Sequence, residues 1–355
     1  MLVIRPVSAS DLDALMELTR STGYGLTTLP ADPQFLRKRI NRSLRSFDGM
    51  GDQPGGESYL FVMEDTASGK VLGTSGCVSK VGGFEPFYAF RIETTVHESK
   101  SLGVRKEIAV LHLVAEHNGP CEIGSLFLAP AHRGGHSGRV LSLSRFLFMA
   151  DHEQCFDPVV LAEMRGVVDE QGRSPFWDAV GKHFFEIDYS KADYLSVINK
   201  RFMAELMPKH PVYITLLPPE AKAVIGLVHD QTRPALRMLE CEGFAWTGMV
   251  DMFDAGPIIT CPLRDIRVVK ESRKGVVTEI VPGEVAGEAQ LVTNARADFR
   301  AAAVVVQQMK DGVRLSAESA AALAVKVADS VRFAPLRPSM NNSLPRPEPA
   351  VRSVA

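Results

Sequence analysis

Residues 125–141, SLFLAPAHRGGHSGRVL, constrain this chain more than any other stretch. The run from Ile123 to Leu128 reads as a strand that meets Pro130, and Arg133, Gly134, Gly135 and Gly138 follow within six residues. A helical pattern from about Arg139 to Asp151 comes next. Its Val140, Leu141, Leu143, Phe146, Leu147, Phe148 and Met149 leave little polar face, which predicts a buried helix. Backbone stripped of side chains, placed before a helix N-terminus, offers free N–H groups to an anion. A Walker A loop is excluded, because no Lys-Ser/Thr pair follows a glycine here. A dinucleotide fingerprint is excluded by the glycine spacing and by the hairpin that precedes the segment. Two readings remain level: a pyrophosphate site to which Arg133 and Arg139 add charge, and a tight turn that needs positive φ.

The whole chain narrows the field. Its 355 residues are too many for one ordinary core and fit two or three packed units. Forty basic against 42 acidic side chains leave a net charge of -2, without the basic excess of a duplex binder, so no nucleic-acid partner is expected. The N-terminus MLVIRPVSASDLDAL lacks a long apolar run, and nothing approaches the ~20 apolar residues of a membrane helix. Cys77, Cys121, Cys155, Cys241 and Cys261 are scattered and never form a CxxC pair, so reduced and mostly buried thiols in a cytoplasmic protein are expected.

Along the chain, LVIRPV reads as a strand, and Ser10 reads as the N-cap of a helix carrying Leu12, Leu15 and Met16. YLFVMED and KVLGTSGCVSKV, joined by TASG, predict an antiparallel hairpin. PVVLAEMRG, VYITLL and FAWTGMVDMFD read as further strands. Between the last two, one helix is predicted from Pro218 and Pro219 to about Val228, and another has Pro234 in its first turn and Gly243 just beyond its end. Val-rich runs beyond residue 263 predict a small β-rich subdomain. Residues 337–355, with four prolines and no apolar period, predict a disordered tail.

The order strand, helix, hairpin, strand, Arg-Gly turn and buried helix resembles that of the GNAT acyltransferases. Those enzymes hold the pyrophosphate of coenzyme A on an R-x-x-G-x-G/A turn; here Arg133 and Gly138 match its ends, with His136 at the first glycine. Longer blocks are similar to the arginine N-succinyltransferase family: VLAEMRGVVDEQGRSPFWDAVGKHFF, MAELMPKHPVY, VIGLVHDQTRPALRMLECEGF and VDMFDAGP, with VIRPV, LTTLPAD and FEPFYAFRIETTVHES nearer the N-terminus.

This resemblance implies an α+β, GNAT-like acyl-CoA N-acyltransferase fold with a mixed, mainly antiparallel sheet over residues 1–262, ahead of the 263–336 subdomain. It implies transfer of the succinyl group from succinyl-CoA, a co-substrate, to the α-amine of L-arginine, with no permanently bound cofactor and no metal. His229 matches the family's proton donor and Leu126 its succinyl-CoA contact; Arg133, Gly134, Gly135 and Gly138 would complete the coenzyme A site. Ornithine or another amine as acceptor, and a non-catalytic partner subunit, are the alternatives. Assembly as a homo-oligomer or with a similar subunit is expected.

The residues themselves suit that chemistry. A histidine titrating near 6.5 can protonate a leaving thiolate, and the predicted helix C-terminus at His229 would favour its charged form. Glu163, Asp178, Asp251 and Asp254 are equal candidates for holding a guanidinium.

Overall fold

Continuous apolar runs, buried on both faces, build the predicted hairpin, and the rest of the sheet grows from its two edges. The computed structural model describes residues 1–21, 28–198 and 201–338, so the expected tail lies outside the described residues from 339 onward. In chain order the first half contains β1 (Leu2–Pro6), α1 (Leu12–Arg20), α2 (Pro33–Asp48), β2 (Ser58–Asp65) and β3 (Lys70–Val78). It continues with β4 (Gly82–Ser99), β5 (Val104–Asn118), β6 (Cys121–Leu128), α3 (Ser137–Asp151) and β7 (Val159–Glu163). Then follow α4 (Pro175–Ala179), α5 (Lys182–Phe185), α6 (Tyr189–Ile198), α7 (Arg201–Leu206), β8 (Val212–Tyr213), α8 (Pro219–Val224), α9 (Arg233–Cys241), β9 (Ala245–Val250) and β10 (Pro257–Pro262). The C-terminal part holds α10 (Arg267–Lys270), β11 (Arg273–Val281), β12 (Ala289–Thr293), β13 (Ala301–Val305), β14 (Gln307–Met309), β15 (Gly312–Ser316), α11 (Ala317–Leu323) and β16 (Ser330–Pro335).

Among the described residues the strands connect in the order β14-β15-β11-β16-β12-β13-β1-β2-β3-β6-β7-β10-β9-β4-β5-β8. The pairing is antiparallel except at β6–β7 and β11–β15, so the sheet is mixed and mainly antiparallel. The C-terminal strands join the rest through one register pair, Ile4↔Ala301. They enclose their own apolar cluster of Val277, Val292, Val304, Leu315 and Phe333, to which β1 contributes Val3.

Alternation along β2 divides the two faces of the sheet. Tyr59, Phe61 and Met63 meet α3, while Leu60 and Val62 meet α1 and α2. Phe148 of α3 packs edge-on against Tyr59, Phe61 and Phe299 with centroids 5.2–5.3 Å apart. Buried aromatics of this size stabilise by about 1.5–3 kcal/mol each. The expectation of a buried helix after the glycine segment is met.

Four details differ from the sequence reading. The cap near α1 is formed by Ser8 and Asp11 rather than Ser10, because Arg5 holds the Asp11 carboxylate in place with two hydrogen bonds of 2.8 and 2.9 Å. No element is predicted over residues 82–118, which form the long β4–β5 ribbon; its signal is two Val/Thr/Ile-bearing runs on either side of Lys100–Gly103. VYITLL supplies only the short β8 before a 3₁₀ turn that leads to Pro218. Helix α8 stops at Val224 instead of about Val228, since Ile225 is extended and Gly226 takes a left-handed φ of 75° to donate its N–H to Ala255. Among the described residues no helix is long and apolar enough to cross a membrane.

Candidate active site

Strands β6 and β7 run parallel but share only two register pairs, Cys121↔Val160 and Glu122↔Leu161. Beyond Glu122 they diverge, and β6 carries a bulge on its other edge, against β3. Its register against β3 passes from Thr74↔Phe127 to Gly76↔Gly124, so Ser125 and Leu126 stand opposite Ser75 alone. Ser125 sits at φ 51°, its carbonyl receiving the Thr74 hydroxyl at 2.8 Å. From beneath, Arg145 of α3, 1% exposed, donates to the carbonyls of Gly76 and Gly124 at 3.3 and 3.2 Å. It also donates to the carbonyl and hydroxyl of Ser142, and burial pulls its guanidinium down to about 10. A guanidinium thus supplies the donors that the bulge removes from the ladder.

The glycine segment lies at the open end of this divergence. Gly134 and Gly135 take φ of 143° and 54°, a region that favours glycine, and a Cβ on either would meet nothing within 4 Å. Helix α3 begins at Ser137, with His136 before it. Arg133 is exposed, its Nε–H on the Leu128 carbonyl at 2.9 Å and its guanidinium 5.5 Å from the centre of the Phe127 ring. Arg139 departs from expectation. Its Nη1 lies 3.8 Å from the buried Glu242, a carboxylate shared with Arg267, so its charge faces away from the turn.

A cavity of about 610 Å³ opens where β6 and β7 part. Leu126 lines it, together with Gly124 and Ser125. One wall comes from α2 and is basic, with Lys38, Arg39 and Arg42; the other is acidic, with Glu163, Asp193, Asp251 and Asp254 around Arg165 and Tyr189.

Two glycines make the acidic wall. A Cβ on Gly166 would sit 2.3 Å from the Asp254 carbonyl oxygen, and one on Gly256 only 1.9 Å from that of Met164. Without side chains, the segment after β7 and the β9–β10 turn press together, which brings Arg165 beside Asp251 and Asp254. Asp251 accepts the N–H groups of Phe253 and Asp254 at 2.7 and 3.0 Å, and Asp254 accepts that of Gly256 at 2.9 Å and the Tyr189 hydroxyl at 3.3 Å. Burial, reinforced by Asp251, pushes the Asp254 carboxyl well above the carboxylate range. The same two causes raise Asp193 to about 7, with Arg165 opposing them. Such a wall stores protons that an incoming cation would displace.

His229 does not line the cavity but is half-buried beside it, its N–H on the Arg165 carbonyl at 2.9 Å. The early end of α8 corrects the expected helix C-terminus. His229 instead opens a 3₁₀ turn, and its Nδ1 accepts the Gln231 N–H at 3.2 Å. That bond puts the proton of the neutral imidazole on Nε2. Burial first, and then the Arg165 charge, lower its pKa below the ordinary value, so no helix dipole holds it charged.

Of the four carboxylates read from sequence, Glu163, Asp251 and Asp254 reach the cavity. Asp178 is on the surface, 3.5 Å from Lys182. Ser174 caps α4, and Phe176 and Trp177 are fully buried core, Trp177 stacking on Phe253 at 5.4 Å. Sequence reading passes over Asp193, Arg39 and Arg145; for Arg145 the signal is a lone arginine inside VLSLSRFLFMA. Among the described residues no three His, Cys, Asp or Glu are grouped to hold a metal ion.

Residues 2–268 match the family model described as arginine N-succinyltransferase beta subunit, and residues 273–335 match that of its C-terminal domain. The arginine N-succinyltransferase of Yersinia pestis is 46% identical over 347 residues, covering 95% of this chain and 98% of the relative. The arginine N-succinyltransferase subunit beta of Pseudomonas aeruginosa is 44% identical over 336 residues, covering 94% and 98%. Among solved structures, the arginine/ornithine succinyltransferase subunit AI of Pseudomonas aeruginosa superposes with a TM-score of 0.87 at 37% identity, over 95% of this chain and 99% of that one. The bulged, diverging strands and the two-signed cavity therefore belong to a member of the arginine N-succinyltransferase family.

Proposed function

We propose that this chain transfers the succinyl group of succinyl-CoA to the α-amine of L-arginine, releasing N2-succinyl-L-arginine and CoA. The observation that carries this reading is the cavity at the β6–β7 divergence, whose walls have opposite charge. One substrate ends in a carboxylate and the other in a guanidinium, so each has a complementary wall. The pyrophosphate lies on the turn of Arg133, Gly134, Gly135 and Gly138, where α3 presents its first N–H groups. The thioester lies against Leu126 at the bulge, and the guanidinium goes to Glu163, Asp193, Asp251 and Asp254.

The α-amine, with a pKa near ~8, attacks as the neutral form. The tetrahedral adduct carries an ammonium and an oxyanion; its collapse breaks the C–S bond and leaves a thiolate that needs a proton. His229 supplies it from Nε2 as the imidazolium, in which Nδ1 also carries a proton and the Gln231 contact is given up. Arg165 lowers the histidine in the free protein, and the negative charges of bound succinyl-CoA offset Arg165, favouring the imidazolium in the complex. The proton lost by the ammonium restores the balance.

The family is described as a beta subunit, and the Pseudomonas relative bears the same name, which supports assembly with a second, similar chain. The similar solved structure is an arginine/ornithine succinyltransferase subunit, which makes ornithine the rival acceptor. The test is thiol release by the purified chain with succinyl-CoA and a panel of amines, with the product weighed by mass spectrometry. The expected result is one succinyl group on the arginine α-nitrogen. Greater turnover with acetyl-CoA, or with an amine lacking a cationic side chain, would contradict the reading.

A further inference from the structure

One cation of the basic wall occupies a core-facing position. Helix α2 turns Leu36, Ile40, Ser43 and Ser46 inward. Arg39 stands on that stripe, three residues after Leu36 and four before Ser43. Its neighbours Lys38 and Arg42 are exposed, and Arg42 donates to the Gly56 carbonyl at 2.7 Å. Ser43 and Ser46 accept the N–H groups of Leu60 and Ser58 at 2.8 and 2.9 Å. Arg39 donates to the hydroxyl of Ser58, a neutral partner, and makes no ion pair with a described residue. Burial, with the Arg42 charge added, brings its guanidinium down to about 10, while Glu122 on the β6 side acts the other way. The guanidinium is half-buried, has no anion in contact among the described residues, and lines the cavity.

The other cations that line the cavity lie elsewhere. Arg145 is buried and held by four oxygens of Gly76, Gly124 and Ser142, and half-buried Arg165, whose Nε has no hydrogen-bond partner among the described residues, stands among the carboxylates of the acidic wall. We infer that Arg39 receives the distal carboxylate of the acyl group, and that this ion pair selects a dicarboxylic acyl thioester over an uncharged one of equal length. The inference rests on the succinyl-transfer reading above and adds the residue that makes the donor choice. A planar fork facing a carboxylate makes two parallel bonds, which an uncharged acyl end cannot replace.

The test compares succinyl-CoA with butyryl-CoA, both with arginine, in wild type and Arg39→Gln. Wild type should prefer succinyl-CoA. Arg39→Gln should lower kcat/KM for succinyl-CoA by roughly 10–100-fold and leave butyryl-CoA within about twofold. Arg39→Lys keeps the charge but not the fork, and its succinyl/butyryl ratio should fall between the two; it serves if the glutamine variant does not fold. An unchanged ratio in either folded variant overturns the inference while the succinyl reading stands. So does a loss confined to arginine relative to agmatine, its decarboxylated analogue, because the carboxylate met by Arg39 would then be the acceptor's. A wild type with no succinyl preference overturns both.

Discussion

The two walls of the cavity carry opposite charge and are built in opposite ways. The basic wall is one helix: Lys38, Arg39 and Arg42 lie within a turn and a half of α2, and their placement follows from 3.6-residue periodicity. The acidic wall gathers Glu163 from β7, Asp193 from α6, and Asp251 and Asp254 from the β9–β10 turn. It exists because Gly166 and Gly256 allow two backbones to touch. Arg39 of the basic wall stays charged at neutral pH, whereas burial and repulsion from Asp251 favour the protonated forms of Asp193 and Asp254. Under the proposed function a helix therefore offers a fixed charge to one substrate, and a non-local cluster offers the other a charge that depends on pH and occupancy.

The largest expected effect removes the chemistry and leaves both walls intact. His229→Ala should lower kcat by about 10²–10⁴-fold with little change in the KM of either substrate. His229→Gln should fare little better, since an amide cannot give up a proton. Near-wild-type turnover in a stable His229→Ala protein would reject it as the acid.

Next in size is the glycine turn, which under the proposed function serves the donor alone. Arg133→Glu should raise the KM for succinyl-CoA by roughly 10–100-fold, the value of a charge-assisted contact worth about 1.5–3 kcal/mol, and leave that for arginine nearly unchanged. Equal effects on both substrates would break the division of labour between the two ends of the site.

Arg145→Met tests the support beneath the bulge. It leaves the Gly76 and Gly124 carbonyls without their donor, at about 1–3 kcal/mol each, so the melting temperature should fall by several degrees. An unaltered melting temperature would show that the bulge stands without it.

The smallest effect separates the walls by pH. With Asp193 at about 7, its carboxylate is mostly protonated at pH 6 and mostly ionised at pH 8. The apparent affinity for arginine should therefore rise roughly tenfold across that interval, and Asp193→Asn should flatten the change. The stability sign is the reverse of a salt-bridged aspartate. Its folded pKa is raised, so the native state holds a proton the unfolded chain has lost, and stability falls as pH rises from about 4 to about 7 before levelling. A wild-type arginine KM that is flat with pH would remove Asp193 from the acidic wall.

Local chemistry is legible in the sequence and long-range assembly is not. The turn at Arg133–Gly138 and the buried α3 follow from contiguous residues. The helix C-terminus expected at His229 is absent because of one residue: Gly226 ends α8 early, and a single left-handed glycine inside VIGLVH is invisible to a periodicity count. Asp193 carries no local mark, because its raised pKa comes from burial in the folded chain and then from Asp251, 58 positions further along the chain. Arg39 lies in RKRINR, which reads as a solvated charged face until β2 covers it.

The most direct measurement crosses the two charges in one experiment. The purified wild-type protein would be assayed for kcat/KM with succinyl-CoA and butyryl-CoA, each against arginine and citrulline, the uncharged analogue of the guanidinium. The account predicts that removing either charge lowers kcat/KM by at least about tenfold, and that removing both gives the product of the two losses, because the walls act on different substrates. Citrulline succinylated as efficiently as arginine, or butyryl transferred as efficiently as succinyl, would contradict it.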